Sequence, residues 1–304
     1  MRKRRAFISF PTEHGSGSNL LTSQKVLDGL NIGFHVRIVS DMGIPAEANI
    51  DIYNLNRDDL QFLTTSAANW MEKRTLIQLY AGYDDDVDLI FGGQIIEAPP
   101  QGYPDLVLHI RCISGLEWMT TNIDLQKADI KMADLIDYTS SVTGFPVNIP
   151  AKLRRTNETL NKRIDEFSYT GSVYNLLDKI QNMLGGFSVG GKSLFLSTYN
   201  DNTFVWNPEE NEEGQTLYIS KESGMVGVPA ITDIGVNIKM LLNTKVRTGN
   251  TVYLHSDRVP DANGVYYVTE ITHEGELRST AWYTTLRCTR IGGLIGEAPN
   301  GKAI

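Results

Sequence analysis

From Ile219 to Arg290 apolar and polar residues alternate along the chain, and glycine-centred turns interrupt the alternation. In VYYVTEITH, the period-two pattern puts Val265, Tyr267, Thr269 and Ile271 on one predicted face and Tyr266, Val268, Glu270 and Thr272 on the other. Gly249-Asn250 reads as a two-residue link between VNIKMLLNTKV and TVYLHS. Asn263-Gly264 reads as a type I′ turn, whose two central residues both need positive φ, and Glu274-Gly275-Glu276 as the next reversal. STAWYTTLRCTR then carries Trp282, Leu286 and Cys288 among polar neighbours. Short strands joined by tight turns predict an antiparallel sheet curled into a small barrel.

The first third repeats this texture. RAFISF reads as a strand and HGSGSN as a loop; GFHVRIVSD follows with Phe34, Val36 and Ile38 facing one way. ANIDIYNL puts Ile50 and Ile52 on one face, and TLIQLYAGY, DLIFGGQIIEA and DLVLHIRCIS read as further strands. Between them a helix is expected from Arg57, capped by Asn56, with Asp58 and Asp59 at its positive end and Leu60, Leu63, Ala67 and Trp70 at helical spacing. This half is expected to form a second small barrel. LVLHIRCIS can be laid against TTLRCTR and DLIFGGQIIE against GVYYVTEITH, which suggests an internal duplication.

The middle differs. ADLIDYTSSVTG predicts a helix with Leu135, Ile136, Thr139 and Val142 inward, stopped by Gly144. PAKLRRTNETLNKRIDE is charged and reads as exposed loop. Ser172 caps a helix with an apolar stripe of Val173, Leu176, Leu177, Ile180 and Leu184, and Gly185 takes the position after its end. GFSVGGKSLFLSTY reads as a hairpin turning at Gly190-Gly191. The expected class is therefore α+β and β-rich: two small antiparallel barrels, over residues 1–118 and 216–304, flank an inserted α+β domain over 119–215.

Composition narrows the function. The 304 residues carry 28 Lys and Arg against 36 Asp and Glu, a formal charge of −8. Such a surface disfavours gripping nucleic acid through phosphate neutralisation, though not letting DNA slide past. MRKRR is the only basic run and is expected to be a solvated terminus; AFISF after it is too short for a signal peptide. No apolar run approaches the roughly 20 residues that cross a bilayer, so a soluble chain without membrane anchoring, made in a cytoplasm, is expected. Cys112 and Cys288 sit in strand contexts as buried thiols.

Gly186 to Ser193 matches GxxxxGK[ST], but a helix precedes the glycines and a strand follows, inverting the order that aims backbone N–H groups at phosphate. Asp84, Asp86 and Asp88 open like a calcium loop, yet Leu89 and Ile95 stand where the turn glycine and bidentate glutamate belong. His14, His35, His109, His255 and His273 show no ligand spacing, and no GxSxG occurs. No catalytic, cofactor-binding or metal residue is assigned, and no enzyme activity is expected.

A resemblance rests on particular positions: Ser223-Gly224, Gly227, Pro229, Leu241-Leu242-Asn243, Gly249, Gly264, Tyr266, Val268, Ile271, His273, Gly275, Trp282 and Thr284, with Ala48 to Leu55 in the first half. This set resembles the baseplate hub, or late-control, proteins of contractile-tailed phages such as Mu. Thr244 and Glu276 depart from that pattern, which has Pro and Asp there. The resemblance implies a structural virion protein of the tail baseplate, assembled in the bacterial host. It implies a homotrimer whose paired barrels match the sixfold tail tube protein above and the threefold central spike protein below. Wedge components would be neighbours, and DNA would be met only in transit. The other readings are the hub of a phage-derived contractile injection system, such as a pyocin, and a tail-associated cell-wall hydrolase. Strand edges are the expected subunit seams, because exposed edges are pairing templates.

Overall fold

The computed structural model describes residues 2–11, 23–40, 44–72, 75–102, 105–143, 147–184, 195–199, 202–206 and 216–290. The first third forms β1 (Arg4–Pro11), β2 (Ser23–Leu27), β3 (Ile32–Val39), β4 (Glu47–Tyr53), helix α1 (Arg57–Ala68), β5 (Leu76–Tyr83), β6 (Asp86–Glu97), β7 (Pro100–Gly102) and β8 (Leu106–Ile113). The middle forms α2 (Leu116–Thr120), β9 (Asn122–Lys131), α3 (Met132–Thr143), β10 (Val147–Asn148), α4 (Ala151–Thr156), α5 (Glu158–Asn161), β11 (Arg163–Ser172), α6 (Val173–Met183), β12 (Phe195–Tyr199) and β13 (Asn202–Trp206). The last third forms β14 (Thr216–Ile219), β15 (Ala230–Ile231), β16 (Gly235–Leu241), β17 (Thr251–Leu254), β18 (Gly264–Glu276) and β19 (Trp282–Thr289).

The molecule is β-rich α+β, built on one large, mostly antiparallel sheet of 14 strands. Its main path runs β15-β16-β19-β18-β3-β4-β8-β6-β5-β1-β2, with β17 beside β18 and β14 beside β17. Among the described residues the path does not close into a barrel. Strands of both outer thirds share this sheet and one apolar core that includes Ile8, Val36, Ile50, Phe91, Tyr266, Leu286 and Trp282. A second core gathers Trp118, Leu125, Leu135, Leu160, Phe167, Leu176 and Ile180 from the middle.

One pairing scheme occurs twice. β3-β4-β8-β6-β5 and β15-β16-β19-β18-β17 are neighbours in the same order, antiparallel throughout. One row across the first set reads Val36, Ala48, Cys112, Ile95; the matching row of the second reads Ile231, Val236, Cys288, Val268. The next row reads His35, Asn49, Arg111, Glu97 against Ala230, Asn237, Arg287, Glu270. Each set has an irregularity at the same step, between Ile95 and Glu97 and between Val268 and Glu270. Each is crossed by an ion pair, Arg111–Glu97 at 3.3 Å and Arg287–Glu270 at 3.8 Å. This register equates Glu97 with Glu270, three residues from the His273 suggested by laying the two sequences together.

The bulge also revises the faces of β18. Tyr266 and Val268 are buried before it, and Ile271, His273 and Gly275 after it, because one extra residue inverts the alternation. The turns differ too. β16 and β17 do not pair with each other; β17 lies across β18 from β19. Asn263 has φ −66° and closes a 3-10 turn over Pro260–Ala262, so Asn263-Gly264 is not a type I′ turn. Glu274, Gly275 and Glu276 lie within β18, and the chain reverses after them.

Helix starts follow the sequence closely. Asn56 accepts a bond from Asp59 N–H, Ser172 accepts one from Asn175 N–H, and Val173, Leu176, Leu177, Ile180 and Leu184 are buried as their spacing predicts. Two expectations fail. Val142, in the last turn of α3, is 46% exposed. The charged stretch after Pro150 is ordered as α4, α5 and β11, because Leu153 and Leu160 insert into the second core and Asn157 caps α5.

Candidate functional site

Several described positions weighed for chemistry make contacts with other parts of the chain. Gly186 to Ser193 and Gly190-Gly191 lie outside the described residues, as do Gly144, Gly185 and His14. The acidic hairpin tip at Asp84–Asp88 is tied to the last third of the chain: Lys245 Nζ lies 3.0 Å from Asp86 and 2.6 Å from Asp88, and Thr244 Oγ1 donates to Asp88 at 2.7 Å. Burial raises the Asp88 pKa, but bonds from Lys245 and Thr244 outweigh it and hold the carboxyl below its ordinary range. Thr244, one of the two departures from the family pattern, supplies one of these bonds. Among the described residues no group of three His, Cys, Asp or Glu side chains is placed to hold a metal ion.

The histidines have separate surroundings. His109 Nδ1 is 2.6 Å from Asp51 and its Nε2 3.0 Å from Gln101, while His255 faces Asp257 at 3.1 Å. His273 is fully buried; its Nδ1 meets Thr284 Oγ1 at 2.9 Å, and its Nε2 has no partner. Burial first, and the Arg247 charge second, push its pKa down to about 3, so the ring is neutral near pH 7. Cys112 and Cys288 are buried free thiols whose pKa burial pushes well up.

The basic terminus departs from the expectation of a solvated tail. Arg4 starts β1, donates to the carbonyls of Ser279 at 2.6 Å and Thr280 at 3.1 Å, and holds its guanidinium 5.6 Å from the Trp282 ring centroid. Arg5 pairs with Asp28 at 2.9 Å. Arg2, Lys3 and Arg278 join them around a cleft of about 1290 Å³. Sequence reading missed this cleft because its two walls lie more than 270 residues apart.

A further surface feature is apolar. Val228 is 49% exposed, Ile231 56%, Ile234 44% and Leu241 50%, all on or beside the β15–β16 hairpin that ends the large sheet. Among the described helices none is long and apolar enough to cross a membrane.

Comparison with known proteins agrees with this architecture. The prophage MuSo2 43 kDa tail protein from Shewanella oneidensis superposes with TM-score 0.61 at 6% identity, covering 95% of this chain and 97% of that one. The tail protein from Neisseria meningitidis MC58 gives TM-score 0.61 at 11% identity over the same shares, 95% and 97%. The E. coli c3393 protein, a type VI secretion component, gives 0.56 at 9% identity, covering 89% of this chain and 76% of that one. At these identities the likeness is one of fold. No curated protein sequence matches. The sequence profile described as Baseplate hub gp41 matches residues 15–288. Most of the chain, including both strand sets and the insert between them, lies within that match, and the protein belongs to the baseplate hub gp41 family as a structural component of the bacteriophage tail.

Proposed function

We propose that three copies of this chain form a ring at the distal end of the tail tube, where the two strand sets act as two tube-like modules per copy. The observation that carries this reading is the pairing scheme repeated in register within one chain. Three copies then present six similar modules about one axis, which lets a threefold assembly abut a sixfold one. The upper face meets the tail tube protein, the lower face holds the central spike protein, and the insert over 119–215 meets wedge components. The chain is made in the host cytoplasm. The net charge of −8 suits a wall past which DNA slides without sticking.

The role is mechanical: the ring matches symmetries, retains the spike until contraction and then leaves a passage. Native mass measurement with negative-stain imaging tests the assembly. A trimeric ring supports it, and a monomer at every concentration sampled overturns it. A peptidoglycan turnover assay tests the non-catalytic role, and turnover by the purified chain overturns that part.

A further inference from the structure

The two strand sets are joined inside the chain by one seam. β3, the outermost strand of the first set, pairs through its second edge with residues 270–276 of β18, and Val36 stands opposite His273. Arg37 Nε reaches Glu270 at 2.6 Å across the seam.

In the second set the strand in the β3 position is β15. Ile231 occupies the row of Val36. Val36 is fully buried; Ile231 is 56% exposed, and among the described residues β15 ends the sheet. Thr232 N–H donates to Gly235 O, so alternation turns the N–H and C=O of Ile231 to the free edge.

The first set carries the edge that matches this strand. Pro100, Gln101 and Gly102 pair with Leu108, Val107 and Leu106, continuing the register that sets Glu97 opposite Arg111. Counting along it equates Pro100 with His273 and Gln101 with Glu274. His109 N–H donates to Pro99 O, which turns the backbone groups of Ala98, Pro100 and Gly102 outward. Among the described residues no strand occupies that side.

We infer that β15 of one copy docks on the Ala98–Gly102 edge of the next, repeating between copies the seam that β3 and β18 form within one. The occupant is a second copy of this chain because the two free edges are the missing halves of a joint the chain already makes. Repetition alternates the two modules head to tail, a heterologous contact that closes when the rotation allows. The joint between copies is weaker than the internal one. β15 is two residues long, Pro100 lacks the N–H that His273 offers, and Thr232 stands where Arg37 reaches across.

This inference rests on the trimeric reading, and its test separates the two. Ala230 and Gln101 fall on the non-hydrogen-bonded pair matching His35 and Glu274, where Cα atoms lie ~4.5 Å apart, within disulfide reach. Both sites are exposed, and the native thiols are buried and free. The full-length chain carrying A230C and Q101C is oxidised, its native mass is measured, and it is run on a non-reducing gel. Covalent trimers from the double variant, with neither single variant linking, support the seam. Trimers by native mass that stay unlinked overturn the seam and leave the ring standing. Monomers by native mass overturn both, and a ladder running past three overturns the closed joint. As a second readout, Ile231→Asp is expected to move the trimer midpoint at least tenfold higher in concentration; an unchanged midpoint in a folded variant also overturns the seam.

Discussion

His273 makes the fold sensitive to acid. Its imidazole is buried against Thr284, its Nε2 has no acceptor, and Arg247 adds a repelling charge. Unfolded, the ring titrates near pH 6.5; folded, burial lowers its pKa to about 3. A depressed histidine pKa means the unfolded state binds the proton first. Stability is therefore full above the unfolded pKa, falls as pH drops through 6.5, and stops falling below the folded value. Between pH 7 and 4.5 this one group removes about 2–3 kcal/mol, since each unit of separation is worth about 1.4 kcal/mol. Urea titrations of the wild-type chain and of His273→Gln at both pH values isolate it. Carboxylates titrate alike in both proteins, so the difference of differences reads the histidine. The variant is expected to be less stable at pH 7 and to lose about 2–3 kcal/mol less on acidification. Equal losses in the two proteins would refute the account, because a ring accessible to protons while folded has no reason to resist them.

Further outcomes follow from packing. A Cβ at Gly275 would lie 2.5 Å from Phe34 Cζ and 2.6 Å from Trp282 Cε3, so Gly275→Ala is expected to cost about 1–3 kcal/mol in chemical denaturation. Tyr266 donates its hydroxyl proton to Ala262 O at 2.7 Å and accepts from Arg290 at 2.6 Å; Tyr266→Phe should lose about 1–2 kcal/mol by the same assay. Cys112 and Cys288 should resist an aromatic disulfide reagent in the native protein and react in pairs on unfolding, followed by absorbance. Lys245→Ala should cost under about 1 kcal/mol, because the lysine itself is 61% exposed and salt-screened and Thr244 still bonds the half-buried Asp88.

Local physics was legible along the chain. Asn56 and Ser172 announce helix starts because a short polar side chain satisfies a free N–H beside it. The stripe from Val173 to Leu184 is buried because 3.6-residue periodicity fixes a face before any partner arrives. Even Arg-Cys in two places marks matching rows, since the same environment selects a buried small residue beside an exposed base.

What stayed hidden depends on distance. The faces of β18 were misread after Val268 because the bulge inserts one residue, Thr269 and Glu270 together replacing a single polar position, and so reverses everything beyond it. VNIKMLL and TVYLHS looked like a hairpin, yet strand partners are chosen by burial on both faces, and the chain carries β17 across to the other side of β18. Arg4 looked free because its acceptors at Ser279 and Thr280 arrive only with the tertiary fold. Sequence alone determined most strands of the outer thirds, the helix caps, the buried stripe of α6 and the family likeness, because those are written in neighbours within a few residues. Tertiary structure decided which strands meet, that β3 stitches the two sets into one sheet, and which edges are left open, because pairing joins residues more than 200 apart and no local pattern encodes that choice.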